Sequence, residues 1–244
     1  MPTAILIDGA YFIKRFRRIE PHNSYDAKRA AEFAFRCALA HLIEGVKKSE
    51  NGTTKTPKRK RDLYRIFFYD YAPLAKKLQN PIFRKAIDFS KSPEAIFRIN
   101  LHNFLKEKRK ITLRLGHLAS DTPWTIKPSV IEELLKGKTR FDDLKESDVI
   151  PNIRQKGVDM RIGIDISSLS IKKQVDQIIL IAGDADFVPA AKLARREGVD
   201  FILDPMWQSV PSALNEHIDG LRSTCARPTP KPKQNIDVAP SCAK

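Results

Sequence analysis

Gln177-Ile178-Ile179-Leu180-Ile181-Ala182-Gly183-Asp184-Ala185-Asp186-Phe187 is the stretch whose reading decides the fold. Its apolar run is short and unbroken, the pattern of a strand buried on both faces of a parallel sheet. Gly183 lets the chain turn sharply at the strand's end. Asp184 and Asp186 then flank a small residue where a helix begins. Pro189 to Glu197 reads as that helix, closed by Gly198, and Val199 to Leu203 as the last strand.

Working outward, Thr3 to Ile7 has the same buried-strand character and also ends on an acid, Asp8-Gly9. Leu63 to Tyr69 is a further strand, ending at Asp70. Ile111 to Leu118 alternates apolar and polar residues, a strand with one wet face. Ala10 to Ile19 is a short helix or turn. Asp26 to Lys47 carries Ala30, Phe33, Ala34, Cys37, Leu39, Ala40 and Ile43 at near-helical spacing. Pro81 to Lys110 is mainly helical with a break near Ser92-Pro93, and Ser209 to Leu221 is a helix. Val158 to Ser168 fits strand or helix on periodicity alone. Strands alternating with helices give an α/β fold with a mainly parallel central sheet flanked by helices.

The 244 residues suit one domain with insertions and a tail. The domain is expected over residues 1–222. A polar basic loop covers 49–61, and an irregular insertion covers about 119–152, with a short helix at Ser129 to Leu135. Residues 223–244 are Pro/Lys-rich and are expected to be a disordered basic tail. With 42% hydrophobic residues the chain can bury a core. Lys+Arg 44 against Asp+Glu 29 leaves +15, a charge that attracts polyanions. Cys37, Cys225 and Cys242 share no CxxC spacing, which argues against a zinc knuckle or a disulfide framework. No apolar run reaches bilayer-spanning length, and the N-terminus reads as a strand rather than a signal peptide. A cytoplasmic protein with no membrane partner is expected.

Ligands of parallel sheets bind beyond the carboxyl ends of the strands, where Asp8, Asp70 and Asp184 fall. Carboxylates forced together repel one another unless a cation sits among them. Hard divalent cations take oxygen ligands, a few from protein and the rest from water and phosphate. Against this, Asp184 and Asp186 can simply cap a helix, and Asp8 can simply be a turn residue. Asp159 and Asp165 lie on different faces if their segment is helical, so only one points into a site, and Asp159 is the better placed.

At these residues the chain resembles the NYN domain family, the LabA-like branch of the PIN-like nucleases. The matching motifs are Ile7-Asp8-Gly9-Ala10-Tyr11-Phe12, Lys156-Gly157-Val158-Asp159 and Gly183-Asp184-Ala185-Asp186-Phe187-Val188-Pro189, in the family's order. The resemblance implies a Rossmann-like PIN-type fold. It implies an acidic pocket of Asp8, Asp159, Asp184 and Asp186, as catalytic groups and as ligands of Mg²⁺ or Mn²⁺. It implies phosphodiester hydrolysis, with RNA the expected substrate. By position, Asp70 either stands behind those ligands or serves the structure, and Asp165 either stands behind them or faces solvent. Ala10 and Ala185 replace an Asn and a Ser common in the family, which leaves the carboxylates intact.

Nucleic acid is expected to lie on Lys14, Arg15, Arg17 and Arg18, just beyond Asp8, and on Lys156. Binding of that kind is salt-sensitive and reads sequence poorly. His22, His41, His102, His117 and His217 are scattered and are assigned structural or surface roles. The alternative is a non-catalytic nucleic-acid-binding or scaffold protein that keeps the fold. A phosphotransferase using an acid two residues after Asp8 is excluded by Ala10, and dinucleotide binding by the absence of GxGxxG after the first strand. A homo-oligomer is left open.

Overall fold

Apolar runs that cannot face water become the middle of a sheet. In the computed structural model, residues 2–43, 60–119 and 121–228 are described. The chain begins with β1 (Thr3–Asp8), α1 (Gly9–Ile19), α2 (Ala27–His41) and β2 (Leu63–Tyr71). A hairpin of β3 (Lys77–Gln79) and β4 (Ala86–Asp88) leads to α3 (Pro93–Lys106) and β5 (Ile111–Leu118). Then come β6 (Trp124–Ile126), α4 (Pro128–Leu135), β7 (Val149–Pro151) and β8 (Gln155–Lys156). The chain continues through α5 (Val158–Ile171), β9 (Gln177–Ile181), α6 (Val188–Arg196) and β10 (Asp200–Asp204). It closes with α7 (Ser212–Asn215) and β11 (Gly220–Leu221).

The main sheet has seven strands in the order β11-β10-β9-β1-β2-β5-β8. Every pairing in it is parallel except β5 with β8. This is the mainly parallel, Rossmann-like α/β arrangement that the strand–helix alternation predicts. β1 and β9, the most apolar runs, sit side by side at the centre, Leu6 opposite Leu180.

Alternation along the strands divides the core between the two faces. Ile5, Ile7, Ile66, Phe68, Ile179 and Ile181 pack against α1, α2 and α3. Ala4, Leu6, Phe67, Tyr69, Ile178 and Leu180 pack against α5 and α6.

Several expected boundaries move, each for a physical reason. The segment from Val158 is helix α5, not strand. The helix expected from Pro81 begins only at Pro93, where Ser92 Oγ accepts the Ala95 N–H. Before it, buried Asn80 holds the hairpin turn by accepting the N–H groups of Ile82 and Phe83. The helix expected over Ser209 to Leu221 is only α7. Pro211 holds the chain out of helix up to Ser212, and Asp219 accepts the Phe201 N–H, turning the chain onto the sheet edge as β11. The expected irregular region holds the β6–β7 hairpin and α4. The expected tail is ordered at its start. Cys225 is buried, and Thr224 Oγ1 donates to the Cys37 carbonyl at 3.0 Å. Residues 229–244 and most of the basic loop, 49–59, lie outside the described residues. Among the described residues no helix is long and apolar enough to cross a membrane.

Candidate functional site

β1 ends on Asp8 and β9 is followed by Gly183-Asp184, and adjacent parallel strands bring these ends together. Asp8 caps α1, accepting the Tyr11 N–H at 3.1 Å. Gly9 follows because nothing larger fits: a Cβ there would lie 2.5 Å from the Tyr69 carbonyl oxygen. Asp184 caps the short 3₁₀ turn Ala185–Phe187 by accepting the Asp186 N–H at 3.2 Å. The capping reading is therefore correct for Asp184 and not for Asp186, and Asp8, read as a turn residue, is also a cap.

Asp159 stands in the first turn of α5, which Gly157 opens with φ +79°. That left-handed conformation is why glycine precedes the helix. α5 carries Asp159 toward the same end of the sheet. Asp159 and Asp186 lie together at one end of an apolar groove between α5 and α6, bordered by Met160, Ile164, Pro189 and Leu193.

The carboxylates feel one another. Burial raises the Asp8 pKa to about 6, with the charge of Asp159 adding to it and the cap hydrogen bond opposing it. Asp159 is also raised, first by partial burial and then by the charges of Asp184 and Asp186. Asp159 thus stands within electrostatic reach of Asp8 on one side and of Asp184 and Asp186 on the other.

The donor set suits Mg²⁺ or Mn²⁺, being hard carboxylate oxygen under mutual repulsion. It is not a ready cage. Among the described residues, no three acidic, histidine or cysteine side chains stand close enough to hold an ion together. The arrangement fits a cation held by one or two carboxylates, with water filling the other positions, as Mg²⁺ favours.

Beside Asp8 and Asp184 opens a cleft of about 780 Å³, lined also by Ala10, Tyr11, Lys14, Ala185 and Gln208 to Pro211. Tyr11 forms part of its wall. Its hydroxyl donates to the Pro205 carbonyl at 2.6 Å, tying α1 to the end of β10. A Cβ on Gly183 would lie 2.4 Å from the Tyr11 ring. With that ring pinned, Gly183→Ala is expected to destabilise the protein by about 1–3 kcal/mol. Urea unfolding measures this, and an unchanged midpoint would contradict the packing.

The expected basic residues divide. Lys14 is exposed and lines the cleft, and Arg18 is exposed on the same helix. Arg15 borders the cleft but is buried, its guanidinium donating to the Met206 carbonyl at 2.6 Å and to Gln208 at 2.8 Å. Arg17 pairs with Glu94 at 2.6 Å and lies over Tyr25. Both are engaged in holding the fold. Lys156 is exposed on β8, opposite His117 on β5.

Asp70 and Asp165 have other work. Asp70 is fully buried and is bound by Arg98 Nη1 and by His102 Nε2, the latter at 2.8 Å. Asp165 accepts the Tyr69 hydroxyl at 2.8 Å and pairs with Arg114 at 3.2 Å. His41 is buried against Asp204 at 2.8 Å.

The segment Pro205 to Pro211 was missed as a cleft wall. Met206 and Trp207 both hold positive φ, +45° and +66°. Bulky residues rarely adopt this backbone. Asp204 Oδ1 accepts the Met206 N–H at 2.7 Å, and Arg15 grips the Met206 carbonyl, which together hold it. The two prolines bracketing the segment were the available signal that it is not helix.

The NYN domain model matches residues 2–221, nearly the whole chain. Among solved structures, a protein of unknown function from Vibrio parahaemolyticus is similar at 15% identity, with 90% of each chain covered and a TM-score of 0.44. No curated protein matches.

Proposed function

Since the chain belongs to the NYN domain family, one of PIN-like nucleases, we propose that it is a nuclease dependent on Mg²⁺ or Mn²⁺ that hydrolyses phosphodiester bonds in RNA. PIN-like nucleases generally use divalent metals and act on nucleic acid. The observation that carries the reading is the electrostatic reach of Asp159 to Asp8 on one side and to Asp184 and Asp186 on the other, beside an open cleft.

In this reading one or two of Asp8, Asp159, Asp184 and Asp186 would hold the cation directly, with water in its other positions, and the remaining carboxylates would attract it by charge. Once bound, it would supply an acidified water and offset charge on the phosphate. The chain's own part is to position. The caps on Tyr11 and Asp186 N–H groups fix the Asp8 and Asp184 carboxylates in orientation. Lys14, at the cleft, attracts the phosphate backbone, and Arg18 extends the positive surface along α1. Tyr11 holds the Pro205 carbonyl and Arg15 the Met206 carbonyl, so the far wall keeps its shape.

Cleavage of a single-stranded RNA, compared between the native protein and Asp184→Asn, tests this. The native protein is expected to cleave with Mn²⁺ and not with a chelator. Asp184→Asn is expected to lose on the order of 10²-fold or more of the rate. Equal cleavage by both proteins would sink the proposal. RNA binding without cleavage would instead support the non-catalytic reading, which Ala10 and Ala185 on the cleft lining favour. Lys14→Glu with Arg18→Glu is expected to weaken RNA binding and flatten its salt dependence. An unchanged salt slope would remove α1 from the binding surface.

A further inference from the structure

Cys37 lies on the buried face of α2, and Cys225 in the segment after β11. Both are free, and both belong to one core cluster. The two thiols are near enough to shift each other's acidity. Backbone contacts fix each side of the pair. Thr224 Oγ1 donates to the Cys37 carbonyl at 3.0 Å, and Trp207 Nε1 donates to the Cys225 carbonyl at 2.8 Å. Both cysteines line a cavity of about 270 Å³ that also touches Glu20, Arg29 and Arg36. Glu20 pairs with Arg29 at 2.5 Å, so Arg36 leaves the cavity with positive character. The cavity offers a small polar oxidant a path toward the pair.

We propose that Cys37 and Cys225 form a reversible redox modification site, converted by a hydroperoxide into an intramolecular disulfide. Cys225 reacts first. The neighbouring Cys37 thiol lowers the Cys225 pKa, while the neighbouring Cys225 and burial raise that of Cys37. The Cys225 sulfur attacks one peroxide oxygen, the O–O bond breaks, and the departing oxygen takes up the Cys225 proton. Cys225 is then a sulfenic acid. The Cys37 sulfur attacks it, the S–S bond forms and the S–O bond breaks. The hydroxide leaves as water with the Cys37 proton. Two thiols are oxidised and one peroxide bond is reduced. A thiol reductant reverses the change.

The bond would tie the end of the described chain to α2. That segment also holds Trp207, through the Cys225 carbonyl and through Ser223 Oγ, which accepts the Trp207 N–H at 3.1 Å. Trp207 directly precedes the cleft wall Gln208 to Pro211. The proposal stands independently of the nuclease reading.

The test uses the full chain with Cys242→Ser, so that one cysteine pair remains. It is treated with hydrogen peroxide and digested without reductant. A single cross-linked peptide pair containing Cys37 and Cys225 is expected, lost on adding dithiothreitol. Melting is expected to shift upward on oxidation, because the cross-link restricts the unfolded chain. Cys225→Ala, checked by melting to be folded, is expected to form no such link. Thiols that stay reduced, or that go separately to sulfinic acid without a cross-link, would overturn the proposal.

Discussion

Asp8→Asn is expected to make the metal-free protein more stable while removing cleavage. Asparagine keeps the cap on the Tyr11 N–H and discards a carboxylate that burial and Asp159 disfavour. The sign follows from proton binding. The folded pKa, about 6, lies above the ordinary aspartate value of 3.8. Between those values the folded state holds more protons, so stability falls as pH rises through that window. Above it the whole cost of the buried charge is present. The gain from asparagine is therefore complete at neutral pH and vanishes in acid below the window. Its size is about 1–3 kcal/mol, or several degrees of melting temperature. Thermal melts in a chelator, at neutral pH and at pH near 4, measure it. A variant less stable than the native protein at neutral pH would contradict the electrostatic account of the site. The same substitution is expected to reduce cleavage by on the order of 10²-fold or more. A gain in stability joined to a loss of activity separates a functional carboxylate from a structural one.

Arg98→Met is expected to have the opposite character, a large loss of stability from a residue outside the cleft. Asp70 is 0% exposed and Arg98 is 6% exposed, and the two are paired directly. Removing one partner leaves a carboxylate in the core with His102 as its remaining side-chain partner. Such losses run to about 3–5 kcal/mol. Arg98 also pairs with Glu94 at 2.8 Å and lies over the Tyr71 ring, so packing is lost with the charge. Chemical denaturation measures the change, and a shift under about 1 kcal/mol would contradict the role given to this pair. Double replacement of Asp70 and Arg98 by apolar residues is expected to recover part of the loss, since a buried ion pair adds little net stability over an apolar isostere.

The contrast between Asp8 and Asp70 marks what could be read from the sequence. Both end apolar strands, as does Asp204, and the rule that such residues face the ligand-binding edge selects all of them. Asp8 and, after β9, Asp184 do line an open cleft. Asp70 and Asp204 instead turn into the core and meet histidines from α3 and α2. Glu94, Arg98 and His102 follow a four-residue spacing along α3, a polar stripe on a helix that is otherwise apolar on its buried face. That stripe was visible in the sequence and predicts a buried partner.

The central strands are legible because burial on both faces writes an apolar run, and α2 because its apolar residues keep helical spacing, whereas the segment that forms α5 fits strand or helix alike. The region from Pro205 to Leu221 was not. Its shape comes from long-range groups, Tyr11, Arg15 and Asp219, that no local pattern reveals. The approach of Cys37 to Cys225 is likewise a product of topology: α2 and the segment after β11 meet only once the sheet is assembled.

The most direct test of the central claim is a Mn²⁺ titration followed by thermal melting, with the native protein, Asp8→Asn and Asp184→Asn. A cation that binds only the folded site raises the melting temperature by mass action. The native protein is expected to gain stability as Mn²⁺ is added. Each variant is expected to need at least about 10-fold more Mn²⁺ for the same shift. An equal rise in all of them would mean that these aspartates do not hold the ion.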